Sequence, residues 1–397
     1  MHLRYPGVSA PVLLQDAPEV LAGLMTAIRG WEPDIAAAGP AQDLTSVVVR
    51  RGRGFDLGSP FLDAPLTGLP AASAVCGVIA DIAQAWFEER PGSVVLHCGA
   101  ALIGGHLVAL TGQAHAGKST LMARLTAEAD MKVFCDDILP ILPDGLAVGL
   151  GIAPRLRLPL PPRSSPGFRS HVATHTALHD DCYAYVTAPT IAPHGSRAPL
   201  SALILLDRRP KGPARLHALP RGEAIRHMIE QNMADPGEHG EALARISDMA
   251  ETLCCLRLVY ADLEEAVALL RAAFDRAVLP GEAGGHAVAA ALPPAAALIA
   301  SAGLPPADLS LVRQRNPLAG MRRLGSEMCL WRPGQGGTFA LNAVATAVWT
   351  LLEEAITGTE IAAILSEAFP QVPAEVIQGD VAALLAALDA AGLAIVA

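Results

Sequence analysis

The sequence predicts an α/β fold built around a phosphate-binding loop, followed by a small α+β module of winged-helix type. Three observations predict it. Gly112 to Ser119 read GQAHAGKS, a complete G-x-x-x-x-G-K-[ST] pattern between an apolar run and a helix-prone one. Strand-like and helical runs alternate on both sides of that loop. After an Ala/Pro/Gly-rich stretch the pattern changes to two β-like runs and then three helical ones.

Residues 1–90 form an N-terminal α/β region of unassigned role. A helical stretch near Pro18–Trp31 precedes a strand-like Ser46–Arg50, and an amphipathic helix, Ala74–Glu89, is ended by Arg90-Pro91-Gly92. Residues 91–276 carry the loop, with strands expected at Val94–Leu96, Leu107–Leu110, Val133–Cys135, Leu203–Leu206 and Leu256–Val259. Residues 277–310 read as a linker. Residues 311–397 hold β-like runs at Met321–Trp331 and Thr338–Leu341 around the turn Arg332–Gly337, then helices at Ala343–Glu353, Thr359–Ala368 and Ala374–Ala391. Thr357 ahead of Glu360, and Pro373 at a helix start, are boundary signals.

Composition narrows the function classes. The 397 residues suffice for two or three domains. A net charge of −10 argues against nucleic acid or an anionic membrane as the main partner. No apolar run reaches about eighteen residues, so no membrane span is expected. The N-terminus lacks the basic-then-apolar order of a signal peptide. Seven cysteines, with no C-x-x-C pair, suggest reduced thiols and a cytoplasmic protein. A homo-oligomer is compatible with these residues, and none of them asks for one.

The chemistry gathers at the loop. Gly112, Gln113, Ala114, His115, Ala116, Gly117, Lys118, Ser119 and Thr120 form the candidate nucleotide-phosphate site. The glycines let backbone N–H groups converge on phosphate oxygens, and the helix that follows adds its positive end. Lys118 can reach the terminal phosphates, and the Ser119 hydroxyl can ligate Mg²⁺. Asp136-Asp137 end one short apolar strand and His97 ends another. If those strands lie beside the loop strand, all three groups meet at one sheet edge. Phosphoryl transfer needs oxygens on Mg²⁺ and a group that orients the nucleophile, and an aspartate pair can serve both needs. The same pair could instead open a solvated turn before Pro140.

Several neighbours have two readings. Asp207 ends an apolar run like a Walker B acid, or simply pairs with Arg208 or Arg209. His171, His175 and His179 recur at i, i+4, i+8, which on a helix would suit a metal. Pro166 and Gly167 ahead of them favour a mobile loop instead. Arg155, Arg157 and Arg163 could contact phosphate or an acidic substrate, or form a solvated basic turn.

His97-Cys98-Gly99-Ala100, the loop and Cys135-Asp136-Asp137-Ile138 are similar, in order and spacing, to the catalytic domain of HPr kinase/phosphorylase. The match covers about residues 91–210 and looks closest to the HPr-kinase-related proteins. It implies a fold like the nucleotide domain of phosphoenolpyruvate carboxykinase, with ATP and Mg²⁺ as cofactors. It implies Lys118 on the phosphates, Ser119 and Asp136 at the metal, Asp137 as general base, and His97 supporting the geometry. The family's later glycine-rich signature with its acidic ligand has no counterpart; Gly149–Arg157 stands near that place without a carboxylate. Leu341-Asn342-Ala343 through Trp349, with Asp380-Val381 and Ala391-Gly392-Leu393, resembles the small D protein of pyrroloquinoline quinone biosynthesis over about 317–397. That resemblance implies a recognition domain, residues 311–397, for the leader of a ribosomally made precursor peptide, bound by strand addition.

Together these features point to an ATP-dependent kinase acting on a Ser or Thr hydroxyl of a precursor peptide or small protein. Two alternatives stay open: a nucleotide-regulated module that presents peptides without modifying them, and a small-molecule kinase.

Overall fold

The computed structural model describes residues 1–39, 43–113, 116–234, 239–275, 304–324, 327–332 and 338–397. Most of the expected linker (277–303), the turn residues 333–337 and the loop residues Ala114 and His115 lie outside them. The chain divides into two units: Met1–Pro220 with Glu230–Asp235 and Met249–His286, and Arg221–Ile229 with Pro236–Asp248 and Ala287–Ala397. Among the described residues, no helix is long and apolar enough to cross a membrane.

The N-terminal elements are β1 (His2–Arg4), β2 (Val12–Gln15), α1 (Pro18–Ala27), β3 (Asp34–Ala36), β4 (Ser46–Arg51), β5 (Gly54–Gly58), β6 (Leu66–Leu69) and α2 (Ala71–Glu88). The strands form one sheet in the order β3-β1-β2-β4-β5-β6. Pro18 starts α1, where its missing N–H has no helical partner to lose. Val75, Val78, Ile82 and Trp86 recur at helical spacing and form the buried stripe of α2. Burying each such side chain contributes about 1.5–3 kcal/mol. Their core also takes in Val95, Val148, Leu150 and Tyr185, so residues 1–90 pack as one body with the segment that follows.

That segment runs β7 (Val94–Leu96), β8 (Gly99–Ile103), β9 (His106–Thr111), α3 (Lys118–Leu125), β10 (Lys132–Cys135), β11 (Leu139–Ile141), β12 (Leu146–Gly149), β13 (Arg155–Arg157), α4 (Pro166–His175), β14 (Thr176–His179), β15 (Tyr183–Val186), β16 (Ser196–Arg208) and β17 (Arg215–Ala218). After α5 (Arg221–Glu230) and α6 (His239–Thr252) come β18 (Cys254–Tyr260) and α7 (Leu263–Phe274). Among the described residues nine strands make the main sheet, in the order β10-β8-β9-β16-β12-β11-β7, with β18 on β16 and β17 on β18. β16 runs parallel to β9 and to β18. Helices α3 and α7 cover it over a core of Val108, Leu110, Leu121, Leu125, Ile204, Leu258 and Leu270.

The strands bearing His97 and the aspartates sit differently from the expectation of a shared edge beside β9. β7 and β8 are two halves of one bent strand, and so are β10 and β11. Leu96 faces Leu139 on one side of the bend and Ala100 faces Cys135 on the other, in continuous register. The pairing opens over residues 97–99 and 136–138, and a bulge interrupts it again between Val133 and Cys135.

The stretch expected as a mobile loop before His171 is instead helix α4. Pro166 occupies the first turn and the Ser165 hydroxyl accepts the Phe168 N–H at 3.1 Å, so both residues start a helix rather than break one. Phe168 and Val172 bury one face of it.

In the second unit β19 (Val312–Arg315), β20 (Gly320–Leu324), β21 (Glu327–Trp331) and β22 (Thr338–Leu341) precede α8 (Ala343–Leu351), β23 (Ile356–Thr357), α9 (Gly358–Ala368), α10 (Ala374–Ala390) and β24 (Ala394–Val396). The single run expected at Met321–Trp331 is two paired strands: Gly320 faces Trp331, and the ladder closes between Leu324 and Glu327. Thr357 and Glu360 form the capping box that their spacing predicts. Leu330, Leu341, Trp349, Ile361, Leu385 and Leu388 pack as the core.

Candidate nucleotide and phosphoryl-transfer site

The loop follows β9 and feeds α3, with Gly117 at the helix start in a left-handed conformation (φ 91°). A side chain there would be strained, and its Cβ would lie 2.6 Å from the Tyr260 hydroxyl. Tyr260 Oη donates to the Ala116 carbonyl at 2.7 Å and so braces the loop from β18. Gly99 is required for a second close approach. A Cβ at that position would stand 2.4 Å from Met122 Cγ, so glycine lets α3 settle against β8.

The break in the bent ladder is where the predicted residues converge. His97 Nε2 and Asp137 Oδ1 are 2.8 Å apart. Lys118 Nζ donates to the His97 carbonyl at 3.4 Å, joining the first residue of α3 to the same gap. The side chains of His97 and Asp137 are 46% and 54% exposed. Asp136 is 8% exposed, and its Oδ2 accepts the Arg155 N–H at 2.8 Å.

Neighbouring carboxylates thus acquire opposite properties. The hydrogen bond from His97 holds Asp137 below the ordinary carboxylate range, with the charges of His97, Lys118 and Arg155 adding to it. Burial, reinforced by the charge of Asp137, pushes Asp136 up to about 7. At neutral pH Asp137 is an exposed anion and Asp136 is poised between its two forms.

Gly149–Arg157 contributes through its backbone. Gly151 has φ 77°, and a Cβ there would lie 2.1 Å from the Arg29 carbonyl. Arg29 N–H donates to the Gly151 carbonyl and Ala153 N–H to the Ala27 carbonyl, both at 2.8 Å. The end of α1 therefore supports the loop that delivers Arg155 N–H to Asp136. The Arg155 guanidinium lies over the Tyr183 ring at 4.6 Å and contacts Cys76 Sγ. Arg163 donates to the Pro210 carbonyl at 3.1 Å.

The other residues singled out in the sequence fall as follows. Asp207 pairs with Arg209 at 2.6 Å. His171 and His175 are ring neighbours on α4, with His171 Nε2 2.8 Å from Thr126 Oγ1, while His179 lies on β14. Among the described residues, no three His, Cys, Asp or Glu side chains stand together in a way that could hold a metal ion. Tyr260 was not legible as a site residue, since it lies in no motif; only the strand pairing brings it to the loop. Gly99 was visible within His97–Ala100, but its reason, the packing of Met122, was not.

Residues 327–394 match the family model described as coenzyme PQQ synthesis protein D (PqqD), in agreement with the resemblance read from the C-terminal sequence. No curated protein matches the chain. Among solved structures, TbiB1 in complex with the TbiA(beta) leader peptide is similar at 25% identity, with a TM-score of 0.19, over 20% of this chain and 93% of that one. The HPr(Ser) kinase/phosphatase from Coxiella burnetii is similar at 12% identity, with a TM-score of 0.22, over 44% of this chain and 91% of that one.

Proposed function

We propose that the chain is an ATP-dependent kinase of the HPr-kinase-like type that phosphorylates a Ser or Thr hydroxyl of a precursor peptide or small protein. Its C-terminal winged-helix-like domain holds the leader. One observation carries the reading: an ionised, exposed Asp137 stands on His97, beside the lysine of a complete phosphate loop. Asp137 accepts the proton of the attacking hydroxyl while His97 fixes its orientation. The new O–P bond forms as the bond from the γ-phosphorus to the ADP oxygen breaks. A carboxylate of low proton affinity suits this role, because phosphoryl transfer passes through a loose transition state that relies on positioning more than on base strength. Lys118 and the loop N–H groups take up the charge on the phosphates.

Mg²⁺ is the cation such a transfer uses, and it would neutralise charge on the phosphates when bound. The donors available are hard oxygens, the Ser119 hydroxyl and Asp136, as that ion prefers. A cation beside Asp136 would offset the burial that now favours its protonated form.

The PqqD match over residues 327–394 supports leader binding. Strand addition to the β20–β21–β22 sheet is the mode proposed, with exposed Leu318, Met321 and Val376 available to apolar leader side chains. Tethering then raises the local acceptor concentration towards the millimolar range.

The test mixes the protein with Mg²⁺, ATP and a short precursor peptide encoded beside its gene, and records intact masses against Lys118→Ala. A gain of one phosphate that disappears in the variant supports the kinase. The burial of Asp136 favours a second reading, a nucleotide-regulated presenting module. Tight leader binding by both proteins without mass gain would establish it.

A further inference from the structure

We infer that Arg208 is a second cationic contact to the nucleotide's phosphates, placed on the opposite side of the loop from the His97–Asp137 gap. This inference rests on the kinase reading and assigns a residue outside its motifs. Arg208 ends β16, whose parallel register with β9 sets Leu205 beside Thr111. On its other side β16 pairs with β18, and there Arg208 faces Tyr260. The two side chains flank Gly117 together. Arg208 Cδ and Nη1 lie 3.6 and 3.8 Å from the place a Gly117 Cβ would take, and Tyr260 Oη lies 2.6 Å from it.

Charge makes the placement informative. Arg208, Lys118 and the positive end of α3 gather at one loop, an arrangement that repels itself until an anion enters. The nearest acid in sequence, Asp207, is already paired with Arg209. Tyr260, pushed up to about 12 by burial, stays neutral and directs its proton to the Ala116 carbonyl. Among the described residues Arg208 is exposed and makes no hydrogen bond or ion pair. The adjacent arginines thus divide their work. Arg209 closes a local pair and donates its N–H to the Tyr260 carbonyl at 2.8 Å, while Arg208 keeps its planar fork open towards the loop.

Calorimetric titration of Mg·ATP into the full-length protein tests this, with Arg208→Ala, Arg208→Lys, Arg209→Ala and Lys118→Ala compared and their melting temperatures recorded without nucleotide. Loss of one charge-assisted phosphate contact weakens binding about ten- to a hundredfold. That loss is expected for Arg208→Ala at an unchanged melting temperature, with Arg208→Lys intermediate and Arg209→Ala within about twofold of the parent. Arg208→Ala binding within about twofold of the parent, while Lys118→Ala loses affinity, overturns the role of Arg208 and leaves the nucleotide site standing. No Mg·ATP binding by the parent protein overturns both.

Discussion

Asp136 and Asp137 have the same side chain and adjacent positions, yet one is a buried acid and the other an exposed anion. The difference follows from their surroundings, since Asp136 is buried against the Arg155 N–H while Asp137 stands half exposed beside His97. Removing the base should cost most: Asp137→Asn should lower turnover about 10²–10⁴-fold, measured as phosphate incorporated per minute. Asp136 predicts a stability effect of defined sign. Its folded proton affinity exceeds the unfolded one, so the folded chain binds more protons and loses stability as pH rises from about 4 to about 7. Asp136→Asn should therefore raise the melting temperature at pH 8 and change it little at pH 4, as thermal unfolding at the two pH values would show. A gain in the variant as large at pH 4 as at pH 8 would contradict the assignment. Which residues gather was readable from the motifs. Their contrast was not, because it depends on burial and on an N–H from Arg155.

At the scale of elements, the glycines and caps decide whether the loop is held. Gly99→Ala places a methyl against Met122 in a closed interface, and overpacking of this kind costs about 1–3 kcal/mol. Urea denaturation should register that loss, and nucleotide affinity should fall with it because α3 starts at Lys118. Thr357→Ala removes the side-chain half of a capping box, leaving the backbone N–H of residue 357 to Glu360, and should cost about 1 kcal/mol in the second unit. Helices with plain start signals, such as α9 and α10, were legible to within a residue or two. Helix α4 was not, because Pro166 and Gly167 mean a helix start only once Ser165 is known to cap it. The bends between β7 and β8 and between β10 and β11 left no trace in hydrophobic pattern, since each half alone reads as a short strand.

At the scale of the molecule, the second unit is not only the C-terminal stretch. It also takes in residues 221–229 and 236–248, with Arg322 paired to Asp248 at 2.7 Å. Deleting residues 304–397 would strip α5 and the front of α6 of packing partners, so loss of activity in that truncation would not isolate leader binding. Competition is cleaner. Free leader peptide added in trans should raise the apparent KM for full-length precursor and leave transfer to a leaderless acceptor unchanged. Initial rates at several leader concentrations would show it, and equal inhibition of both acceptors would refute the division of labour. Covalent order along the chain pointed to three blocks and a linker, but the return of the chain to the second unit around residues 221–248 was invisible to composition.

The open segment of the bent ladder carries a further consequence, for change of length. Residues 97–99 and 136–138 are bracketed by paired strands in one register, Leu96 to Leu139 and Ala100 to Cys135. β9 holds β8 on its other side, from Gly99 against Leu110 to Ile103 against His106, and the β8–β10 ladder already carries a bulge between Val133 and Cys135. A change of length by one residue in either triplet would be taken up in the unpaired segment, leaving the faces of β8 in place and displacing His97 from Asp137. Substitutions there alter chemistry one group at a time, whereas an indel would part the pair itself.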